Sequence, residues 1–148
     1  MRKSLALAAA LALVLAAGIA SAADVEVKML DKGAKGMMVF EPALVKINPG
    51  DAVKFVPVSK GHNVETIPGM APAGAAEVHG KPNEEVTVKF DKPGVYGFKC
   101  KPHYGMGMVS LVVVGKPDNI SAAKAVKHPG KAKQVFAELF DESQVASR

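Results

Sequence analysis

The sequence predicts an all-β sandwich of short strands that is followed by two C-terminal α-helices. Up to residue 114, the chain consists of short runs rich in β-branched and aromatic residues, a composition typical of strands. Turn signals interrupt these runs, notably Asn48-Pro49-Gly50-Asp51 and Asp91-Lys92-Pro93-Gly94. After Gly115 the apolar residues recur with helical spacing instead. Short strands separated by turns are characteristic of a sandwich or a barrel.

Each strand is assigned from a short apolar or alternating run. In the first of them, Val25, Val27 and Met29 alternate with other side chains, whereas the last run is nearly all apolar. The predicted strands are 25–30, 44–47, 52–57, 64–67, 85–90, 95–99 and 108–114.

The tail is predicted to be helical. Asp118 or Asn119 can cap a first helix over residues 120–127, which His128-Pro129-Gly130 ends. A second helix is expected from about residue 131 to 142, because one face of it carries Val135, Phe136, Leu139 and Phe140.

Residues 1–22 are predicted to be a secretory signal peptide. Arg2 and Lys3 precede an apolar run that ends at the small-residue site Ala20-Ser21-Ala22. The alternative is a membrane anchor, but the run is short for a span of roughly 20 residues. Cleavage before Ala23 would leave one domain, residues 23–148, with the sandwich over about 23–115 and the helices over about 118–145. No other long apolar segment follows, so we expect no membrane association after cleavage.

Charge and cysteine content narrow the functional class. The formal net charge is +5, but lysines and acidic residues are interspersed, and this pattern does not favour nucleic-acid binding. Cys100 is the only cysteine. Exported proteins meet an oxidising compartment where cysteines usually pair. A lone cysteine is therefore buried, reactive, paired with another molecule or bound to a metal.

His62, Cys100, His103 and Met108 are the candidate metal ligands. Three of them form a C-x2-H-x4-M motif, while His62 lies far upstream. One cysteine, two histidines and a weak axial methionine are the ligands of a blue-copper electron-transfer site. Structural zinc favours several cysteines, haem attachment requires C-x-x-C-H, and iron–sulfur clusters require more thiolates. The pattern therefore favours one copper ion cycling between Cu(I) and Cu(II).

Other histidines and methionines compete for these roles. Met106 is an alternative to Met108, and Met70 is a more remote one; Met108 is favoured because it opens the last predicted strand and so has a fixed direction. His79 and His128 lie outside the cluster, and both are expected to face solvent.

The motif resembles the copper loop of the cupredoxin family. His62-Asn63, the run Cys100–Met108, the segment Met37–Pro42 and the helical tail all look like features of this family. The resemblance implies an eight-stranded Greek-key β-sandwich with copper at one end and no enzymatic activity. It also implies that Asn63 lies close to the sulfur of Cys100, and that His103 lies near the surface as the route for electrons.

Lysines near the ligands suggest a docking surface. Lys60, Lys99 and Lys101 flank the ligands in sequence, and Lys32 and Lys131 are further candidates. The resemblance implies a periplasmic monomer whose lysines dock acidic patches on a denitrification reductase such as nitrite reductase, with cytochrome c as a candidate donor. The alternative function is periplasmic copper binding and delivery, which would require exchangeable copper.

Overall fold

The computed structural model describes residues 21–144, which contain eight strands, one 3₁₀ helix and two α-helices. The strands are β1 (Asp24–Gly33), β2 (Gly36–Glu41), β3 (Leu44–Ile47), β4 (Ala52–Pro57), β5 (Glu65–Thr66), β6 (Val86–Lys89), β7 (Gly94–Lys99) and β8 (Val109–Val114). The 3₁₀ helix covers Lys101–Met106, and the α-helices are α1 (Ile120–Lys124) and α2 (Ala132–Ser143).

The strands form two four-stranded sheets. One has the order β2-β1-β4-β6 and the other the order β3-β8-β7-β5. β1 pairs with β4 in parallel and β3 pairs with β8 in parallel, while the other pairs are antiparallel. Parallel neighbours that are distant in sequence require crossover connections between the sheets. The predicted cupredoxin-like Greek-key sandwich with two C-terminal helices is confirmed.

The main core fills the space between the two sheets. Its aromatic centre is Phe55, whose ring centroid lies 5.9 Å from that of Phe40 and 5.1 Å from that of Phe98. Cys100 and Met108 belong to the same buried cluster. The metal-ligand candidates therefore lie at the end of a packed core and not on a separate lobe.

A second core lies between the outer face of β8 and the helices. Val112 and Val114 of β8 belong to the main core, whereas the alternate residues Val109, Leu111 and Val113 belong to the second. Successive side chains of a strand point to opposite faces. β8 is apolar apart from Ser110 because both of its faces are covered. The predicted apolar face of α2 supplies Phe136, Leu139 and Phe140 to this second core.

Two elements differ most from the prediction. The sequence predicts no strand at β2, because the Met37-Met38 pair that follows Gly36 lacks a clear alternation. α1 ends at Lys124, three residues before the predicted end at residue 127.

Asn119 occupies the N-cap position of α1, but its side chain does not cap the helix. Instead it accepts a hydrogen bond from the Val95 N–H at 2.8 Å and donates one to the Val95 carbonyl at 2.9 Å. The side chain thereby ties α1 to β7 in place of a local cap.

Most of the predicted signal peptide lies outside the described residues, so that assignment stays a prediction. Within residues 21–144, no helix has the length and hydropathy needed to cross a membrane.

Asp51 joins the first strand to the turn before β4. Its carboxylate accepts hydrogen bonds from the backbone N–H groups of Ala23 and Asn48, each at 2.9 Å. These two bonds, the one from Ala23 contributing most, hold the pKa of Asp51 below its ordinary value, against a smaller opposing effect of burial. The ionised carboxylate therefore fastens the N-terminal edge of the sandwich.

We expect Asp51→Asn to make the free energy of unfolding depend less on pH in the acidic range. The lowered pKa means that this carboxylate stabilises the fold above about pH 3.9, the ordinary value for aspartate, and that the contribution is lost as the pH falls through the folded-state pKa. Urea unfolding should show the variant less stable at neutral pH, with the difference from wild type shrinking in acid. Asp118→Asn, at an exposed position, is the control. A difference that stays constant with pH would contradict this role.

Candidate metal centre

The pairing of β7 with β8 builds the centre. Lys99 pairs with Val109, and one residue beyond, the Cys100 N–H donates a hydrogen bond to the Met108 carbonyl at 3.0 Å. β5 lies on the other side of β7, with Glu65 opposite Lys99. This pairing brings the segment that carries His62 beside Cys100.

The loop between Cys100 and Met108 is a short 3₁₀ helix with a kink at His103. Pro102 lies in its first turn, where a proline is tolerated because the missing N–H would have no helical partner. Gly107 ends it in the left-handed conformation (φ 89°), and its N–H donates to the Tyr104 carbonyl at 3.0 Å. Hydrogen bonds between main-chain groups of the loop thus hold its conformation.

Three donor atoms converge at the end of the sandwich. The Cys100 Sγ lies 3.5 Å from the His103 Nδ1 and 3.7 Å from the His62 Nδ1, and the two Nδ1 atoms are 3.1 Å apart. A metal bound about 2.0 Å from nitrogen and about 2.3 Å from sulfur would hold its donors at similar separations. Cys100 and His62 are 38 positions apart in sequence, so this convergence is a product of the fold.

Burial separates the candidate ligands. His62, Cys100 and Met108 have 0% exposure, while His103 is partly exposed. Met106 is 50% exposed and so faces away from the buried donors. Met70 belongs to the second core. The structure thus favours Met108 among the three methionines, and among the four candidate ligands the imidazole of His103 is the one that reaches the surface.

The surroundings of Cys100 control the charge on its sulfur. Burial raises the pKa of the thiol, backbone N–H groups of Asn63 and His103 oppose this effect, and the charge of Glu65 adds to it. Metal ligation requires the thiolate, so metal binding at this position releases a proton. The two N–H groups at the sulfur are suited to stabilise that thiolate.

Asn63 fastens the two halves of the centre together. Its side-chain oxygen accepts a hydrogen bond from the Lys101 N–H at 2.8 Å, directly after Cys100. Its amide nitrogen donates to the Glu65 carboxylate at 3.0 Å and to the Gly80 carbonyl at 3.1 Å. Asn63 therefore fixes the segment of His62 relative to the loop of Cys100.

Asp31 is a neighbour of His62 that the sequence analysis missed. Its Oδ1 lies 2.8 Å from the Nε2 of His62, on the side of the ring opposite the donor cluster. Asp31 lies 31 positions before His62, and no local motif connects the two. Only the alignment of β1 beside the segment before His62 brings them together.

The turn between α1 and α2 packs against the copper-motif loop. The Tyr104 hydroxyl lies 2.6 Å from the His128 Nδ1, and the Lys131 N–H donates to the Gly105 carbonyl at 2.9 Å. The prediction that His128 faces solvent is wrong: its ring is half-buried and stacks at 4.4 Å on Phe136. Burial lowers the pKa of His128 and raises that of Tyr104.

The remaining predicted residues lie at the surface. His79 is exposed and contacts Glu77 at 3.1 Å. Lys99 is half-buried, with its Nζ 5.1 Å from the ring centroid of Tyr104. The other candidate docking lysines are exposed: Lys32, Lys60, Lys101 and Lys131.

The donor set indicates the metal. A thiolate and two imidazoles converging in space, with a buried thioether in the same core cluster as the thiolate, match the ligands of blue-copper sites. Structural zinc is held by four N, S or carboxylate ligands, and a thioether is not among them. A Greek-key sandwich with this centre at its end defines a cupredoxin, a protein that binds one type 1 copper ion.

Comparison with known proteins supports the same class of protein. Residues 27–115 match the family described as copper binding proteins of the plastocyanin/azurin family. The pseudoazurin of Methylorubrum extorquens is 56% identical over 144 residues, which cover 96% of this chain and 97% of the relative. The pseudoazurin of Paracoccus pantotrophus is 53% identical and covers 88% of this chain and 90% of its own. The crystal structure of pseudoazurin from Methylobacterium extorquens AM1 superposes with a TM-score of 0.79 at 59% identity, covering 82% of this chain and 99% of that one.

The chain therefore belongs to the pseudoazurins, within the plastocyanin/azurin family of copper-binding proteins. Its cofactor is copper, and its activity is electron transfer to redox partners, not catalysis of a reaction.

We expect Gly130→Ala to loosen the loop from the helical extension. Gly130 has a left-handed backbone (φ 52°), and an added Cβ would collide with the Gly105 carbonyl oxygen, which accepts the hydrogen bond from Lys131. Such overpacking costs roughly 1–3 kcal/mol, in addition to about 1–2 kcal/mol of strain from placing a side chain on a left-handed backbone. Urea unfolding should show the sum of these two losses in the free energy of unfolding.

Gly74→Ala is the matched control. Gly74 is also left-handed (φ 79°), but an added Cβ would meet nothing within 4 Å. Its substitution therefore introduces only the backbone strain, about 1–2 kcal/mol. Equal destabilisation of the two variants would contradict a specific contact between the turn and the loop.

Proposed function

We propose that His62, Cys100, His103 and Met108 hold the copper ion, and that the protein carries single electrons in the periplasm. The observation that carries the ligand assignment is the approach of the Cys100 sulfur and two imidazole nitrogens to within 3.1–3.7 Å of one another. Bound copper would supply the one-electron couple. The loop and its two anchors, Asn63 and the turn before α2, hold the donors in place in either state.

The visible spectrum of the Cu(II) protein tests the ligands. We expect an intense thiolate-to-copper band that ascorbate bleaches and air restores, because a buried thiolate bound to copper absorbs strongly. Cys100→Ser should abolish the band completely, whereas Met106→Leu should leave it unchanged because Met106 is half exposed.

Only faint absorption in the wild type would overturn the assignment of Cys100. Copper that a mild chelator removes rapidly would instead favour the second function, copper delivery. The burial of three of the proposed ligands argues against such rapid exchange.

His103 is the proposed point of electron exchange. Its ring is partly exposed while the other proposed ligands are buried, so it offers the shortest path from the centre to a partner. Exposed Lys101 and Met106 lie in the same loop. A small apolar area with charges around it is suited to the weak, short-lived interfaces of redox encounters.

The proposed partner presents an acidic patch to the lysines. Lys60, Lys99 and Lys101 are closest to the ligands in sequence, and the exposed Lys32 and Lys131 extend the set. The family resemblance supports a denitrification reductase, such as nitrite reductase, as acceptor and a cytochrome c as donor. The predicted signal peptide supports the periplasm as the location.

Electron transfer to an acidic nitrite reductase should slow as salt rises. The Debye length shortens from about 10 Å at 0.1 M to about 3 Å at 1 M, which removes the attraction between separated charges. Stopped-flow mixing should show this decrease, and Lys101→Glu should slow the reaction at low salt by roughly tenfold.

Lys116→Glu is the control because Lys116 is exposed beyond the end of β8 that is remote from the metal centre. It makes the same change in net charge. Rates that do not depend on salt, or equal effects of the two substitutions, would remove the docking proposal.

A further inference from the structure

We propose that Asp31 is a positioning residue for His62 and that its negative charge lowers the reduction potential of the copper centre. The inference rests on the ligand assignment above but not on any partner. Nothing in the sequence pattern singled out Asp31.

The contact joins a buried ring to an exposed carboxylate. The His62 imidazole is 0% exposed, whereas the Asp31 side chain is 56% exposed, and 2.8 Å separates Nε2 from Oδ1. The backbone fixes both partners. The Asp31 N–H donates to the Ser59 hydroxyl at 3.0 Å, and the Ser59 N–H donates to the Met29 carbonyl at 3.1 Å. β1 therefore holds the carboxylate beside the segment that leads to His62.

The carboxylate selects one tautomer of His62. A carboxylate can only accept a hydrogen bond, so Nε2 must carry the proton and donate it. The Nδ1 lone pair is then directed at the Cys100 sulfur and His103, which lie on that side of the ring. Partners of this kind orient the ring and raise the basicity of a ligating histidine.

The charge of Asp31 is expected to stabilise the two oxidation states of the copper to different extents. With one thiolate among neutral ligands, the centre carries a net charge of about +1 as Cu(II) and about zero as Cu(I). A carboxylate bonded to one of the ligands therefore stabilises the oxidised state more than the reduced one. Because Asp31 is more than half exposed, water screens part of this effect, and the shift is modest.

Two substitutions separate position from charge. Asp31→Asn keeps an oxygen that can accept a hydrogen bond from the Nε2–H group but removes the charge. Asp31→Ala removes both the oxygen and the charge. At a fixed ambient potential, we expect the ratio of oxidised to reduced protein to fall by roughly three- to tenfold in Asp31→Asn; tenfold corresponds to an upward shift of 59 mV for one electron. The visible band of this variant should stay as in the wild type.

A second readout does not depend on copper. Nitrogen-15 NMR of the metal-free protein should show His62 as a single Nε2–H tautomer in the wild type and in Asp31→Asn. In Asp31→Ala, the two tautomers should mix. Asp24→Asn is the control for charge, since Asp24 is exposed at the other end of β1, about 23 Å away at the rise of a strand.

The outcomes distinguish the inference from the assignment beneath it. A potential in Asp31→Asn no higher than that of Asp24→Asn would overturn the effect of charge. A single unchanged tautomer in Asp31→Ala would overturn the positioning role. Absence of the thiolate band from the wild type would overturn the ligand assignment itself.

Discussion

The register between β7 and β8 is the constraint on which the rest of the structure depends. Because Lys99 lies opposite Val109, the next residues, Cys100 and Met108, lie side by side and turn inward at the end of the core. A shift of one residue would turn the side chains of a strand to the opposite face. β7 also carries β5 on its free edge, and β8 carries the helices on its outer face. The two strands thus position the three segments that meet at the metal centre: the segment of His62, the loop after Cys100 and the turn between the helices.

The helical extension contributes to the centre and is not a mere appendage. Its turn contacts the loop at Tyr104 and Gly105, whereas Asn63 bonds to the loop at Lys101. A loop that is held at several points loses little further conformational freedom when the metal binds or changes its oxidation state. Rigidity of this kind favours electron transfer and disfavours exchange of the ion, which is why these contacts bear on the choice between the two functions.

Local patterns in the sequence were sufficient for the strands, the helical tail and the ligand motif, since periodicity and spacing record them directly. They were not sufficient for β2, whose paired methionines hide the alternation, or for Asn119, whose side chain bonds to β7 instead of capping α1. His128 and Asp31 were misjudged or missed for one reason. Each acquires its role from a partner on another element, Tyr104 or His62, and no short window of sequence contains such a pair.

Two histidines connect the centre to the surface in different ways, His103 directly and His62 through Asp31. His103 is itself partly exposed in a loop with exposed lysine and methionine side chains, so it can approach a partner directly. His62 is completely buried, and its Nε2 contacts the exposed carboxylate of Asp31. In the proposed function, His103 meets the partner, while His62 links the centre to the charge of Asp31. Because these two contacts involve different proposed ligands, the reduction potential could be adjusted at Asp31 without altering the surface that a partner would contact at His103.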